Sequence, residues 1–169
     1  MKNNPQDQLN IDYIRVNLLA KLGSENMKEA HYREAVNYLL EYFELMNKNS
    51  FVVLNYLNQP CYFNIALAYS NLNEHVNAVK YWTKFIQNDN NNLDAYYNRF
   101  MSFLELDKLA EAITDIDRAL KINPNRADLY INKGITCIRL KNINEARKAL
   151  LKAKELGNSD AEHYILNYC

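Results

Sequence analysis

The chain has 169 residues, enough for one domain whose core needs neither disulfides nor a structural metal. Twenty basic residues balance twenty acidic ones, which argues against a general nucleic-acid binder held by phosphate contacts. Three cysteines (Cys61, Cys137, Cys169) are widely spaced with no CxxC, a pattern of buried thiols in a reducing compartment rather than of a disulfide framework.

Residues 1–10, MKNNPQDQLN, lack the apolar region of a secretory signal and read as a disordered lead-in. No run approaches the roughly 18–20 apolar residues that span a bilayer. The expected location is therefore cytoplasmic, with the nucleus also open. Helical spacing starts at Ile11, where Ile14, Leu18, Leu19 and Leu22 continue an apolar stripe. Gly23, Tyr32, Ala35, Leu39 and Tyr42 mark a first helix–turn–helix unit over residues 16–49. An insertion over 50–58 follows, with the apolar run Phe51-Val52-Val53-Leu54, which extends the helix or packs over the first unit.

From Gln59 onward the chain repeats every 34 residues, over 59–92, 93–126 and 127–160. Tyr62, Tyr96 and Tyr130 share one slot; Leu72, Leu106 and Leu140 share another; so do Ala78, Ala112 and Ala146. A fixed period of this length signals stacked helix pairs. Pro124 closes one unit because it lacks an N–H, and the polar run 88–92 and Gly157-Asn158 close the others by turn chemistry. Residues 160–168 form a short capping helix, with Tyr164 in the Tyr slot. Small residues set the close contacts: Ala35, Ala78, Ala112 and Ala146 on second helices, Gly23, Ala66 and Gly134 on first helices. The rings of Tyr62, Tyr69, Tyr96, Phe103 and Tyr130 are expected in the core.

This pattern resembles the tetratricopeptide-repeat family from about Val16 to the end, most closely in EAITDIDRALKINPNRADLYINKG. The chain departs from it at Phe100, where a small residue is usual, and at Tyr42 and Phe85, which stand where Ala119 and Ala153 stand later. The resemblance implies an all-α fold: a right-handed superhelical α-solenoid of antiparallel helix pairs over residues 11–169, ending in the capping helix. It also implies a concave groove, lined by first helices, that binds peptides.

The groove-facing slots of the family fall on Phe63, Asn64 and Leu67; Tyr97, Asn98 and Met101; and Ile131, Asn132 and Ile135. Each set has i, i+1, i+4 spacing and so shares one helical face. Asn64, Asn98 and Asn132 would form a ladder of amides, each offering both a donor and an acceptor to a peptide backbone. In the alternative reading each Asn bonds its own neighbouring helices. The family's carboxylate clamp for acidic chaperone tails falls on Ala20, Ser24, Asn64, Asp94 and Asn98, where only Asn64 matches and Asp94 repels a carboxylate. The groove is apolar instead, with Ile138 adding to it.

Only three glycines exist (Gly23, Gly134, Gly157), which excludes a Walker loop and a dinucleotide fingerprint. There is no GxSxG elbow, and His31, His75 and His163 have no metal-ligand spacing, so no enzyme, metal or cofactor is expected. Residues 118–154 carry ten basic side chains against Asp128 and Glu145 alone, either a steering patch or a solvated face. The expected role is a protein-interaction adaptor or scaffold that takes an apolar or amphipathic peptide of a partner protein. The alternatives are a structural subunit docked through its convex face or basic end and, more remotely, a chaperone-tail co-chaperone. Self-association is open as well.

Overall fold

A computed structural model describes the backbone of residues 5–48 and 55–169, so the apolar run at 51–54 lies outside the described residues. Among these the chain is all-α: α1 (Pro5–Lys28), α2 (Tyr32–Lys48), α3 (Asn55–Asn71), α4 (His75–Asn88), α5 (Leu93–Glu105), α6 (Leu109–Ile122), α7 (Ala127–Arg139), α8 (Ile143–Glu155) and α9 (Asp160–Tyr168). Successive helices pair antiparallel, α1 with α2, α3 with α4, α5 with α6 and α7 with α8. The chain divides into two compact units, one ending at Asn88 and the other starting at Asp89.

The pairs close because the recurrent small residues let the backbones approach. Ala35, Ala78, Ala112 and Ala146 are all fully buried. Gly23 and Gly134 serve the facing side: a Cβ there would lie 2.5 Å and 2.6 Å from the Cγ atoms of Leu39 and Leu150. The larger residues Phe100, Tyr42 and Phe85, which break the small-residue pattern, are buried as well. Each fully buried Leu or Phe contributes about 1.5–3 kcal/mol of transfer free energy, so this core outweighs any single surface contact.

The turn between the two helices of a pair has one geometry throughout. Ala30, Asn73, Asp107 and Lys141 take φ of 60°, 58°, 55° and 59°, and each follows the end of a first helix. Behind Lys141 the bonds run from its N–H to Ile138 O and from Asn142 N–H to Cys137 O, both at 2.9 Å. The other three turns repeat this crossed pair, which satisfies the last carbonyls of the helix. Asn92 and Asn142 cap the next helices by accepting from the N–H groups of Ala95 and Glu145.

In the first unit α3 packs on α2 and reaches α1. The rings of Phe43 and Tyr62 stack with centroids 4.6 Å apart, and Tyr62 in turn lies against Tyr81. In the second unit α7 packs on α6, while α9 packs on α8 and reaches α7. Tyr69 and Tyr96 are buried, whereas Tyr62, Phe103 and Tyr130 are half-buried and line the edges of the core.

One expectation is corrected and two are refined. The supposed disordered lead-in over 1–10 is helical from Pro5, because proline at a first helical position forgoes only an N–H that would have no partner. One turn on, Gln8 Nε2 donates to Asp12 Oδ1 at 2.9 Å. The insertion over 50–58 is helical from Asn55, with Pro60 inside α3 once its first turn is complete. The stripe read from Ile11 also divides: Leu19 is buried, but Ile11, Ile14 and Leu18 face outward. The inward face of α1 is instead built by Asp12, Val16, Leu19 and Gly23.

Candidate functional site

In the first unit α3 carries Phe63, Asn64 and Leu67, all half-buried. The Asn64 amide donates to Ser24 Oγ on α1 at 3.4 Å, and that hydroxyl donates to Ala20 O at 3.0 Å. Phe63 meets Trp82 and Phe85 of α4 edge-on, at centroid distances of 5.0 Å and 5.2 Å. Much of its ring is therefore committed to the helix pair itself.

In the second unit Tyr97, Asn98 and Met101 lie on α5, and Ile131, Asn132 and Ile135 on α7. Met101 is exposed and the other five are half-buried. The Asn132 amide donates to the Tyr97 hydroxyl at 3.4 Å, which brings the two helix faces together. Asn98 donates to Asp94 O of its own helix at 2.8 Å. The three amides thus share a slot but not a partner: two reach a neighbouring helix and one bonds its own. In each the carbonyl oxygen has no hydrogen-bond partner among the described residues and remains an acceptor. Ser24, which sequence reading treated only as a failed clamp position, is the residue that fixes Asn64.

The electrostatics of these faces disfavour an anionic ligand. Asp94 is exposed in the first turn of α5, and Asp128 holds the same place on α7. The Arg126 guanidinium bonds the Asp128 carboxylate at 2.7 Å and 2.5 Å and holds its pKa below the usual carboxylate value. The basic stretch 118–154 is less cationic in space than along the chain. Arg139 pairs with Asp107, Lys133 with Asp117 and Glu145, Lys152 with Glu155 and Lys154 with Glu162. Four of those five acids lie outside the stretch, which is why a window count overstates the field.

Cys61 and Cys137 are buried and Cys169 is half-exposed. Burial pushes the Cys61 thiol up to about 11, which makes it a poor nucleophile at neutral pH. Among the described residues no group of His, Cys, Asp or Glu has the arrangement to hold a metal ion, and no helix is long and apolar enough to cross a membrane. A shallow cleft of about 150 Å³ between α1 and α2 is lined by Arg15, Glu41, Glu44, Leu45 and Lys48, none of them a predicted groove residue.

Two tetratricopeptide-repeat family models match the chain, over residues 59–92 and 103–166, together more than half its length. The chain belongs to the tetratricopeptide-repeat family. Its fold is that of solved family members. MamA from Desulfovibrio magneticus RS-1 superposes with a TM-score of 0.68 at 16% identity, over 85% of this chain and 76% of that one. YrrB, described as a repeat protein with an unusual peptide-binding site, gives 0.70 at 19% identity over 83% and 69%. The first repeat domain of Spaghetti (RPAP3), solved with the HSP90 peptide SRMEEVD, gives 0.59 at 22% identity over 66% and 90%. No curated protein sequence matches the chain. As in other tetratricopeptide-repeat proteins, a role in protein–protein interaction follows from the family itself.

Proposed function

We propose that this chain is a non-enzymatic adaptor that binds an apolar or amphipathic segment of a partner protein on its first-helix faces. The observation that carries this reading is the common state of Asn64, Asn98 and Asn132. Each spends an N–H inside the protein and leaves a carbonyl oxygen beside half-buried apolar side chains. A peptide N–H is the natural donor to such an acceptor. In the first unit Leu67 takes a peptide side chain with Phe63 as its rigid backing; in the second Met101, Ile131 and Ile135 do so with Tyr97 behind them. Burial there contributes roughly 25 cal/mol per Å² of apolar surface. YrrB and the Spaghetti domain support the reading by analogy, since the description of each names a peptide site or a bound peptide.

The test is affinity capture with wild type and with Asn64→Ala/Asn98→Ala/Asn132→Ala, after circular dichroism shows equal helicity. Wild type should capture a specific partner that the triple variant loses, and the captured segment should map to an apolar peptide. Retention by the triple variant would move the site to the convex face or the basic end. Titration with an acidic chaperone-tail peptide gives the remaining arm: with exposed Asp94 at the start of α5, no saturable binding is expected.

A further inference from the structure

Leu18 occupies the repeat slot held by Cys61 on α3 and by Leu129 on α7. Those two are 5% and 0% exposed, at positions where α2 packs on α3 and α6 packs on α7. Leu18 is 52% exposed, and on the same side of α1 Ile14 and Ile11 are 66% and 55% exposed. Among the described helices α1 packs only with α2 and α3. A helix face that no neighbouring repeat covers is ordinarily polar. A helix that is apolar on two opposite faces is one that is buried on both.

The outer face also has an ordered pattern. Asp7, Ile11, Ile14, Leu18 and Lys21 follow one another at intervals of four, three, four and three residues, the seam of a two-helix packing. An acid closes one end of the apolar stripe and a base the other, each seven residues from Ile14. Asp7 is exposed, and among the described residues Lys21 makes an exposed contact of 3.7 Å to Glu25. If two copies of α1 lie antiparallel about a two-fold axis at Ile14, then Ile11 faces Leu18, Ile14 faces Ile14, and Asp7 faces Lys21 twice. A parallel pairing would set Asp7 on Asp7 and Lys21 on Lys21. The stripe is thus complementary to itself in one orientation only, the property that a two-fold interface requires.

We propose that the occupant of this face is a second copy of the chain, joined as a two-fold homodimer through antiparallel α1 helices. The seam from Asp7 to Lys21 is about 21 Å long at 1.5 Å per residue. It belongs to the small class of interfaces, so the dimer is reversible and depends on concentration. It uses none of the adaptor residues named on α3, α5 and α7.

Sedimentation velocity of the full chain over a micromolar-to-submillimolar series tests this. The mass should rise from 19.9 kDa towards about twice that value. Ile14→Glu, at an exposed site, should keep the helicity and abolish the rise; Ile14→Ser should weaken it. Asp7→Lys should weaken the dimer about tenfold by setting two lysine pairs face to face, and Asp7→Lys/Lys21→Asp should restore it. A wild type that stays monomeric throughout would overturn the proposal, as would a dimer indifferent to Ile14→Glu. A double swap no better than the single one would overturn the antiparallel pairing.

Discussion

The Arg99 guanidinium reaches from α5 to the Asp115 carboxylate on α6 through two bonds of 2.7 Å each, and Asp115 is 2% exposed. The rings of Tyr96 and Phe103 lie 5.8 Å from the guanidinium carbon, so the ion pair sits in aromatic surroundings. Removing one partner strands the other charge away from water. Arg99→Met should therefore lower the unfolding free energy by about 3–5 kcal/mol. The double variant Arg99→Met/Asp115→Leu should recover most of that loss, because no buried charge remains. Urea unfolding of both variants measures this; equal losses would show that the stranded carboxylate is not the cause.

The left-handed turn residues give a prediction of opposite sign. Lys141 and Ala30 have side chains at φ of 59° and 60°, a conformation that glycine adopts without steric cost. Lys141→Gly and Ala30→Gly should each stabilise the protein by about 0.5–1 kcal/mol, net of the glycine's extra freedom when unfolded. Gly157→Ala, at φ of 89°, should destabilise although the site has open space around it. Thermal unfolding resolves these changes as shifts of about 2–4 °C per kcal/mol.

Gly134 should refuse even a methyl group. A Cβ there would lie 2.6 Å and 2.7 Å from Leu150 Cγ and Cδ2, and Leu150 is fully buried, so it has nowhere to move. Gly134→Ala gains helix propensity of about 1 kcal/mol and loses about 1–3 kcal/mol to overpacking, with a destabilised protein as the outcome. Adding Leu150→Val should relieve the clash, so that the double variant is less unstable than the two single effects summed.

Lys133 on α7 bonds Asp117 of α6 and Glu145 of α8, each at 3.0 Å. Its hydrogen bond lowers the Glu145 pKa below the ordinary 4.5. A lowered carboxylate pKa contributes stability that is present above 4.5 and is lost as pH falls through the folded value. Burial opposes the charge on Lys133, but its two carboxylates raise the ammonium pKa above 10.5, a contribution lost only in strong alkali. Lys133→Met should flatten the acid limb of a stability–pH profile below 4.5, so that the wild type's advantage is greatest on the neutral plateau and shrinks as the pH falls.

Much of this fold is legible in the sequence because the repeat writes each contact several times. Ala78, Ala112 and Ala146 announce a close helix pair by recurring in register, and the fully buried Ala35 shows that the weaker first unit obeys the same rule. What lacks a counterpart is what escapes. Residues 5–15 have no equivalent in later repeats, so the 34-residue period gives no sign that α1 starts as early as Pro5, and the helical spacing read from Ile11 does not show that Ile11 and Ile14 face out. The slots of Asn64, Asn98 and Asn132 are visible, but their partners are not: Ser24, the Asp94 carbonyl and Tyr97 follow from side-chain geometry that differs at each step. The basic stretch misleads for a related reason, since Asp107, Asp117 and Glu162 neutralise it from outside the window.

The position of α9 has a consequence for lengthening the array. It lies on α8 and reaches α7 in the relation that α3 bears to α2 and α1, with Tyr164 in the slot of Tyr62, Tyr96 and Tyr130. Helix α9 therefore holds the place of a unit's first helix. Grafting one more second helix behind Tyr168, through a left-handed glycine turn, would complete a pair whose template is already in place. Length in this scaffold is then a parameter adjustable one helix at a time.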